Sequence, residues 1–290
     1  MGKILTVLKQ VARLEYILLR LLTRFFLGKK RRNELVQRKI IDINHFMHKH
    51  FLDKDVGAIK VLNKEEAYVI GQHCIIPLDV GGFIASEVNV VYTKPDESDV
   101  VIDVGAHYGL YTLLASRLVG NQGIVLAFEP HPYNYKRLLI NLRLNKIKNV
   151  KTFNLALGDF KGQTKLYLFS NSGGHSTTPE VLSASSFDGY INVKVNTIDT
   201  IIRKLGIEKV SLIKIDAEGA ELNILKGARE SIQTYRPKLT IASYHYSNEA
   251  IEIKEWLETN FPFFKVKIEK HHSSNFLYAQ PYGKEKAIKK

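Results

Sequence analysis

"VVIDVGAHYGLYTLLASRLVG", Val100 to Gly120, decides how the rest of the chain is read. An apolar run interrupted only by Asp103 gives way to a glycine-bearing turn. A segment with apolar residues at helical spacing follows and closes at Gly120. A buried strand, a glycine turn and a helix in that order form the opening half of a βαβ unit. The same rhythm continues outward. "GIVLAFEP" (Gly123–Pro130) reads as a second strand, "NYKRLLINLRLN" (Asn134–Asn145) as a second helix and "VKTFNLALGD" (Val150–Asp159) as a third strand. Strands alternating with helices of this length predict right-handed crossovers on a parallel sheet, an α/β fold.

Beyond Asp159 the rhythm breaks. "KGQTKLYLF" (Lys161–Phe169) and "VKVNTID" (Val193–Asp199) read as β on either side of a polar stretch from Ser170 to Tyr190. That stretch is rich in Ser, Gly and Thr and without helical period, so it reads as a long surface loop of the kind that covers active sites. Alternation resumes with "KVSLIKID" (Lys209–Asp216), a helix over about Ala220–Thr234, "PKLTIASYH" (Pro237–His245) and a helix over Glu249–Phe261. Two β runs, Phe263–Lys270 and Ser274–Pro281, predict a closing antiparallel hairpin with His271 and His272 exposed at its turn. Upstream, residues 40–97 read as a helix-like stretch followed by short strands and are taken as a cap on the main domain, residues 98–281.

The net charge of +13 invites a nucleic-acid reading until it is located. Residues 1–39 carry +9 and residues 265–290 carry +5, leaving −1 over residues 40–264. A nearly neutral body argues against a basic groove for nucleic acid, whereas basic ends, including the tail 282–290, seek an anionic surface. At about 100° per residue, Lys9, Arg13, Arg20 and Arg24 fall on one side of a helix, opposite Ile4, Val7, Val11, Leu14, Leu18, Leu22 and Phe25. Charges interrupt every run long before the roughly 18 apolar residues of a spanning helix. The segment, followed by Lys29–Arg32, predicts an interfacial helix whose residues 1–32 meet an anionic membrane surface; docking on the body or a partner subunit is the alternative. One cysteine, Cys74, excludes internal disulfides, and no secretory signal is evident, so a cytoplasmic location against the inner membrane face is expected.

The chemistry gathers at strand ends. Gly105 and Gly109 sit where the first strand turns into its helix, where the backbone can approach a ligand and free N–H groups are offered. The dinucleotide fingerprint would need another glycine where His107 stands. Glu129 ends the second strand 24 residues after Gly105, placed to accept both hydroxyls of a ribose. A solvated acid or a cap for the next helix is the plainer alternative. Together these features point to a nucleoside without a pyrophosphate. "KIDAEGAEL" (Lys214–Leu222) crowds Asp216, Glu218 and Glu221 after an apolar run. Such acids either work in a site or complement the dipole of the following helix. Lys214 points to the same side as Asp216 and would be paired.

Three blocks, "VVIDVGAHYGLYT", "AFEPHPYNYKRLLINLRLNKIKNV" running into "NLALGD", and "LIKIDAEGAELNILKGA", resemble the FkbM family of S-adenosylmethionine-dependent methyltransferases over about Ser98–Lys270. The resemblance implies the class I Rossmann-like methyltransferase fold, a mostly parallel seven-stranded sheet whose last strand is antiparallel, here with an N-terminal helical extension. It implies that Asp103, Gly105, Ala106 and Gly109 line the methionine end of the cofactor and that Glu129 binds its ribose. Ala156 and Leu157, with Asp159 nearby, would pack near adenine. His107 stands where the family usually has Asn, so its role in the turn stays open. His245 is kept at the end of the fifth strand, but Ser243 and Tyr244 replace the usual acid. Asp216, Glu218 and His245 are the expected catalytic residues, and no metal site is expected. The resulting expectation is O-methylation of a glycan, glycolipid or other small-molecule acceptor near a membrane. A nucleic-acid methyltransferase would carry a Pro-Pro motif where this chain has "DAEG". A non-catalytic scaffold of the same fold would bind no cofactor.

Overall fold

The computed structural model describes residues 58–61, 66–70, 75–79, 93–169, 175–178, 187–271 and 274–282. The basic segment 1–39, the helix-like stretch 40–52, Cys74, the run read as a strand over Ser86–Tyr92, His272 and residues 283–290 lie outside the described residues. The chain forms two compact units, Met1–Glu87 and Val88–Lys290. In the first, β1 (Ala58–Val61), β2 (Glu66–Ile70) and β3 (Ile75–Asp79) make an antiparallel sheet.

The second unit is built on a seven-stranded sheet in the order β12-β13-β11-β10-β4-β5-β6. Its strands are β4 (Val100–Val104), β5 (Ile124–Phe128), β6 (Val150–Phe153), β10 (Leu212–Ile215), β11 (Lys238–Ala242), β12 (Phe264–His271) and β13 (Ser274–Pro281). β4, β5, β6, β10 and β11 run parallel, and β13 lies antiparallel to both neighbours. This is the class I Rossmann-like methyltransferase arrangement. From β4 the chain builds outward through β5 and β6 on one side, then returns to β10 and β11 on the other. The order therefore reverses between β4 and β10, where open α/β sheets bind their ligands. Helices cover both faces, so the central strands are apolar almost throughout. Asp103, Lys214 and Thr240 are the buried exceptions. The three are register partners across β4, β10 and β11, and each is almost fully buried.

Local chemistry sets the helix boundaries. Gly109 (φ 88°) starts α1 (Leu110–Val119) and Gly120 (φ 67°) stops it. Pro132 opens α2 (Pro132–Leu144), where its missing N–H costs nothing. The third strand divides. β6 ends at Phe153, and Asn154 Nδ2 donates to the carbonyls of Glu129 and Pro130, drawing the chain off the sheet. β7 (Ala156–Leu157) then joins a small sheet, β7-β9-β8, with β8 (Gly162–Phe169) and β9 (Phe187–Asn196). Part of the stretch read as loop is therefore strand.

α3 (Ile198–Leu205) replaces what reads as the end of a strand; the Thr197 hydroxyl caps it by accepting from Thr200 N. The helix predicted over Ala220–Thr234 is two, α4 (Glu221–Lys226) and α5 (Arg229–Tyr235), separated at Gly227. Asp199 of α3 accepts from the backbone N–H groups of Glu230 and Ser231, capping α5. α6 (Glu249–Asn260) completes the set, its buried residues packed on the sheet.

The break at Gly227 is a packing demand. A Cβ there would stand 1.9 Å from the Gly158 carbonyl oxygen. Replacing Gly227 with Ala must push the β7 segment away, so Gly227→Ala is expected to cost about 1–3 kcal/mol in chemical denaturation. An unchanged midpoint would show that the two segments are not held together here.

Candidate active site at the carboxyl ends of the parallel strands

The turn after β4 is wound tightly, with Gly105 (φ 72°), His107 (φ 50°) and Gly109 (φ 88°) all left-handed. The N–H groups of Gly105 and Ala106 both donate to the Phe128 carbonyl, tying the turn to the end of β5. Gly105 is obligatory for space as well as for φ, because a Cβ would lie 1.8 Å from the Asp216 carbonyl oxygen. Asp103 does not reach the cavity. Its Oδ2 accepts from the Thr112 hydroxyl at 2.5 Å, and its Oδ1 lies 3.2 Å from Lys214 Nζ. Lys214 also donates to the carbonyls of Val104 and Gly105. Lys214 thus forms an ion pair with Asp103 beneath the turn.

Glu129 extends from β5 into a cavity of about 560 Å³ open to solvent. Its carboxylate is fixed by His107 N (2.8 Å) and His131 N (2.9 Å), with Asn134 Nδ2 at 3.4 Å. Burial pushes its pKa up to about 7 against those hydrogen bonds. His107 lines the same cavity. Burial, Lys214 and His175 lower its pKa to about 4, so its ring is neutral. Phe128, Ala156, Leu157 and Ile224 supply an apolar wall, and Asp216 and Glu218 the far side. Of the residues expected at the site, Gly105, His107, Glu129, Ala156, Leu157, Asp216 and Glu218 line the cavity. Asp103, Ala106 and Gly109 do not line it, and neither does His245, which lies against the acids. Asp159 is exposed outside it.

His245 gathers the acids. Its side chain is 4% exposed. Nδ1 stands 3.2 Å from Glu249 Oε2 and 3.5 Å from Glu221 Oε1, while Nε2 stands 3.7 Å from Asp216 Oδ1 and 3.8 Å from Glu218 Oε2. Burial disfavours the imidazolium, but Asp216, Glu249 and Glu221 outweigh it and raise the pKa to about 11. Asp216 pays for its own burial yet is held below the usual carboxylate range by His245 and Lys214. Glu218 goes the other way, pushed up to about 7 by burial and by Asp216 and Glu249. Glu221, fully buried, accepts from Ala217 N and shapes the turn. Asp216, Glu218 and His245 also present one ligand atom each within 4.8 Å of one another, a spacing a metal ion could bridge.

Sequence reading did not single out Asn134, Thr177, His175 or Glu249. Thr177 and His175 come from the polar stretch, whose Ser176 hydroxyl donates to the Glu218 carbonyl at 2.6 Å. Glu249, at the start of α6, carries no local signal of its partnership with His245.

The shifts of Glu129, Glu218 and His245 have one sign for stability, and that of His107, lowered to about 4, runs against them only below pH 6.5. A carboxyl raised from 4.5 to about 7, as in Glu129 and Glu218, keeps its proton longer when folded and costs stability as pH rises through that range. The stabilisation from His245 is complete below 6.5 and is lost as pH rises towards about 11. The urea midpoint is therefore expected to fall from pH 5.5 to pH 8.5, and to fall less in Glu218→Gln. Equal slopes in the two proteins would contradict these environments.

Comparison with known proteins gives the same assignment. Residues 103–275 match the Methyltransferase FkbM domain. Methyltransferase sdnD of Sordaria araneosa is 30% identical over 185 residues, 54% of this chain and 71% of that protein. Hexuronic acid methyltransferase AglP of Haloferax volcanii is 27% identical over 51% of this chain and 57% of its own length. 2-O-methyltransferase NoeI of Sinorhizobium fredii is 26% identical over 49% of this chain and 62% of its own. With a family match across more than half its length and the sheet order described above, the chain belongs to the FkbM-domain methyltransferases.

Proposed function

We propose that the protein transfers the methyl group of S-adenosylmethionine to a hydroxyl of a sugar-bearing acceptor at the edge formed by β4, β5 and β10. The observation that carries this reading is Glu129, a carboxylate preset by two backbone N–H groups at the end of β5. Glu129 lines the cavity, where a ribose would present two hydroxyls. The slot beside Ala156 and Leu157 suits a flat adenine, and the Gly105–Gly109 turn leaves room for the methionine end.

Displacement at the methyl carbon breaks the C–S bond, forms O–CH₃ and leaves a neutral thioether. Most of the acceleration would come from alignment of oxygen, methyl and sulfur. Glu218, with a pKa near 7, is matched to accept the hydroxyl proton at neutral pH. Asp216 stays anionic and offsets the sulfonium charge. While no ion is bound, His245 is held as a cation and positions both acids rather than acting as a base. The acceptor class draws on the hexuronic acid and 2-O specificities named for two relatives.

Calorimetry with S-adenosylmethionine tests the cofactor. One equivalent should bind, about tenfold more weakly at pH 6 than at pH 8 as Glu129 takes up its proton. Glu129→Gln should bind at least tenfold more weakly at pH 8 and lose most of that pH dependence. No binding by the wild-type chain sinks the reading.

The basic face of residues 1–32 adds a membrane-surface role, with a lipid-linked sugar as acceptor. No helix among the described residues is long and apolar enough to cross a membrane. Sedimentation with phosphatidylserine vesicles should recover the full chain at low salt and lose it when residues 1–39 are removed, with cofactor affinity unchanged. Vesicle binding that survives the deletion would place the membrane contact elsewhere.

A further inference from the structure

His245 Nε2 is buried without a hydrogen-bond partner, and so is the nearer oxygen of Asp216, Oδ1. At 3.7 Å from Asp216 Oδ1 and 3.8 Å from Glu218 Oε2, Nε2 is too far from either for a hydrogen bond. Buried polar atoms rarely go unsatisfied, and two facing each other across such a gap call for something between them. The spacing fits a metal ion. Ligand atoms on bonds of about 2.1 Å stand roughly 3–4 Å apart around one centre.

The other ring nitrogen supplies an independent observation. Nδ1 is 3.2 Å from Glu249 Oε2, and His245 N donates to the same carboxylate at 2.8 Å. A metal-binding histidine characteristically gives its second N–H to a carboxylate, which fixes the ring and, once the ion has displaced the proton on the other nitrogen, turns that lone pair onto the ion. Glu249 is 1% exposed and occupies that place. Asp216 and Glu218, each about a quarter exposed, open the position to the cavity.

We infer that Asp216, Glu218 and His245 form a binding site for a divalent transition-metal ion, with Glu249 as the group that orients the histidine. One imidazole with two carboxylates suits Mn²⁺ or Zn²⁺ better than Ca²⁺. The role of the ion rests on the methyl-transfer reading. In an open coordination position it would bind the acceptor hydroxyl and lower its pKa. The O–H proton would pass to the Glu218 oxygen not engaged with the metal, as the oxygen takes the methyl group and the sulfur leaves with the C–S electron pair.

The test uses the full chain stripped with EDTA and titrated with MnCl₂, with MgCl₂ and ZnCl₂ as parallel arms. Water-proton relaxation and calorimetry report uptake, and thermal melts of each variant report folding. One equivalent of Mn²⁺ or Zn²⁺ is expected. Asp216→Asn and His245→Gln should weaken it more than tenfold, Glu249→Gln about tenfold, and Glu230→Gln, on the exposed face of α5, not at all. The partly exposed Glu218→Gln serves if a buried variant does not fold. Absence of uptake overturns the site and leaves a buried imidazolium there instead. Uptake undiminished in the folded variants overturns it equally, because the ion then binds elsewhere. S-adenosylmethionine titrated in EDTA keeps the readings apart: cofactor binding without metal uptake defeats only the metal site, and metal uptake without cofactor binding defeats only the methyl-transfer reading.

Discussion

Everything at this site depends on an ammonium group buried between two strands. Lys214 of β10 sits opposite Asp103 of β4, lies 3.2 Å from its carboxylate and donates to the two carbonyls that begin the glycine turn. A buried ion pair gains little unless further hydrogen bonds satisfy both partners, and here the Thr112 hydroxyl and the turn carbonyls do so. The consequence is geometric. The ends of β4 and β10 are clamped so closely that residue 105 has no room for a Cβ beside the Asp216 carbonyl. The glycine turn and Asp216, which line one cavity, are thereby fixed against each other. Lys214 shapes the site without lining it.

A second charge cluster is layered over the first. Asp216, Glu218, Glu221 and Glu249 surround one imidazole, and their environments divide them. Asp216 is kept charged by cations on two sides, whereas Glu218 and Glu221 are driven towards their neutral forms by burial and by other acids. Two acids only two residues apart thus differ in protonation, one held as an anion and the other titrating near neutral pH. Composition could not distinguish them.

The parallel sheet was legible because its strands are apolar runs punctuated by glycine turns, a local signal. Glu129 was legible because the fold fixes the distance from the first turn to the end of the second strand. What escaped reading depends on contacts between distant segments. The split at Gly227 answers a carbonyl at Gly158, the capping of α5 comes from Asp199, and the departure of β7 from the sheet follows an Asn154 side chain that reaches back to Glu129. Lys214 pointed to the side expected, yet its partner was decided by strand order, which placed Asp103 opposite it. Glu249 and His245 are four residues apart, but nothing in that spacing reveals that the pair lies under Asp216 and Glu218.

The polar stretch after Phe169 completes this account, because it connects backbone strain to chemistry. Glu218 holds a left-handed conformation (φ 54°) that costs a residue with a side chain energy, and Gly219 continues it (φ 97°). The double turn swings the Glu218 carboxylate over the cavity and leaves its own carbonyl without a helical partner. The Ser176 hydroxyl takes that carbonyl at 2.6 Å, while the Ser176 backbone bridges to Tyr167 at the end of β8. The small sheet thus reaches the acid through one serine. A strained residue persists only where its surroundings over-determine it, and here the fixing contact comes from the segment that also brings Thr177 and His175 to the cavity wall. The chain therefore ties the position of Glu218 to residues 175–178, so that the segment that brings His175 and Thr177 to the cavity wall is also the one that fixes this acid.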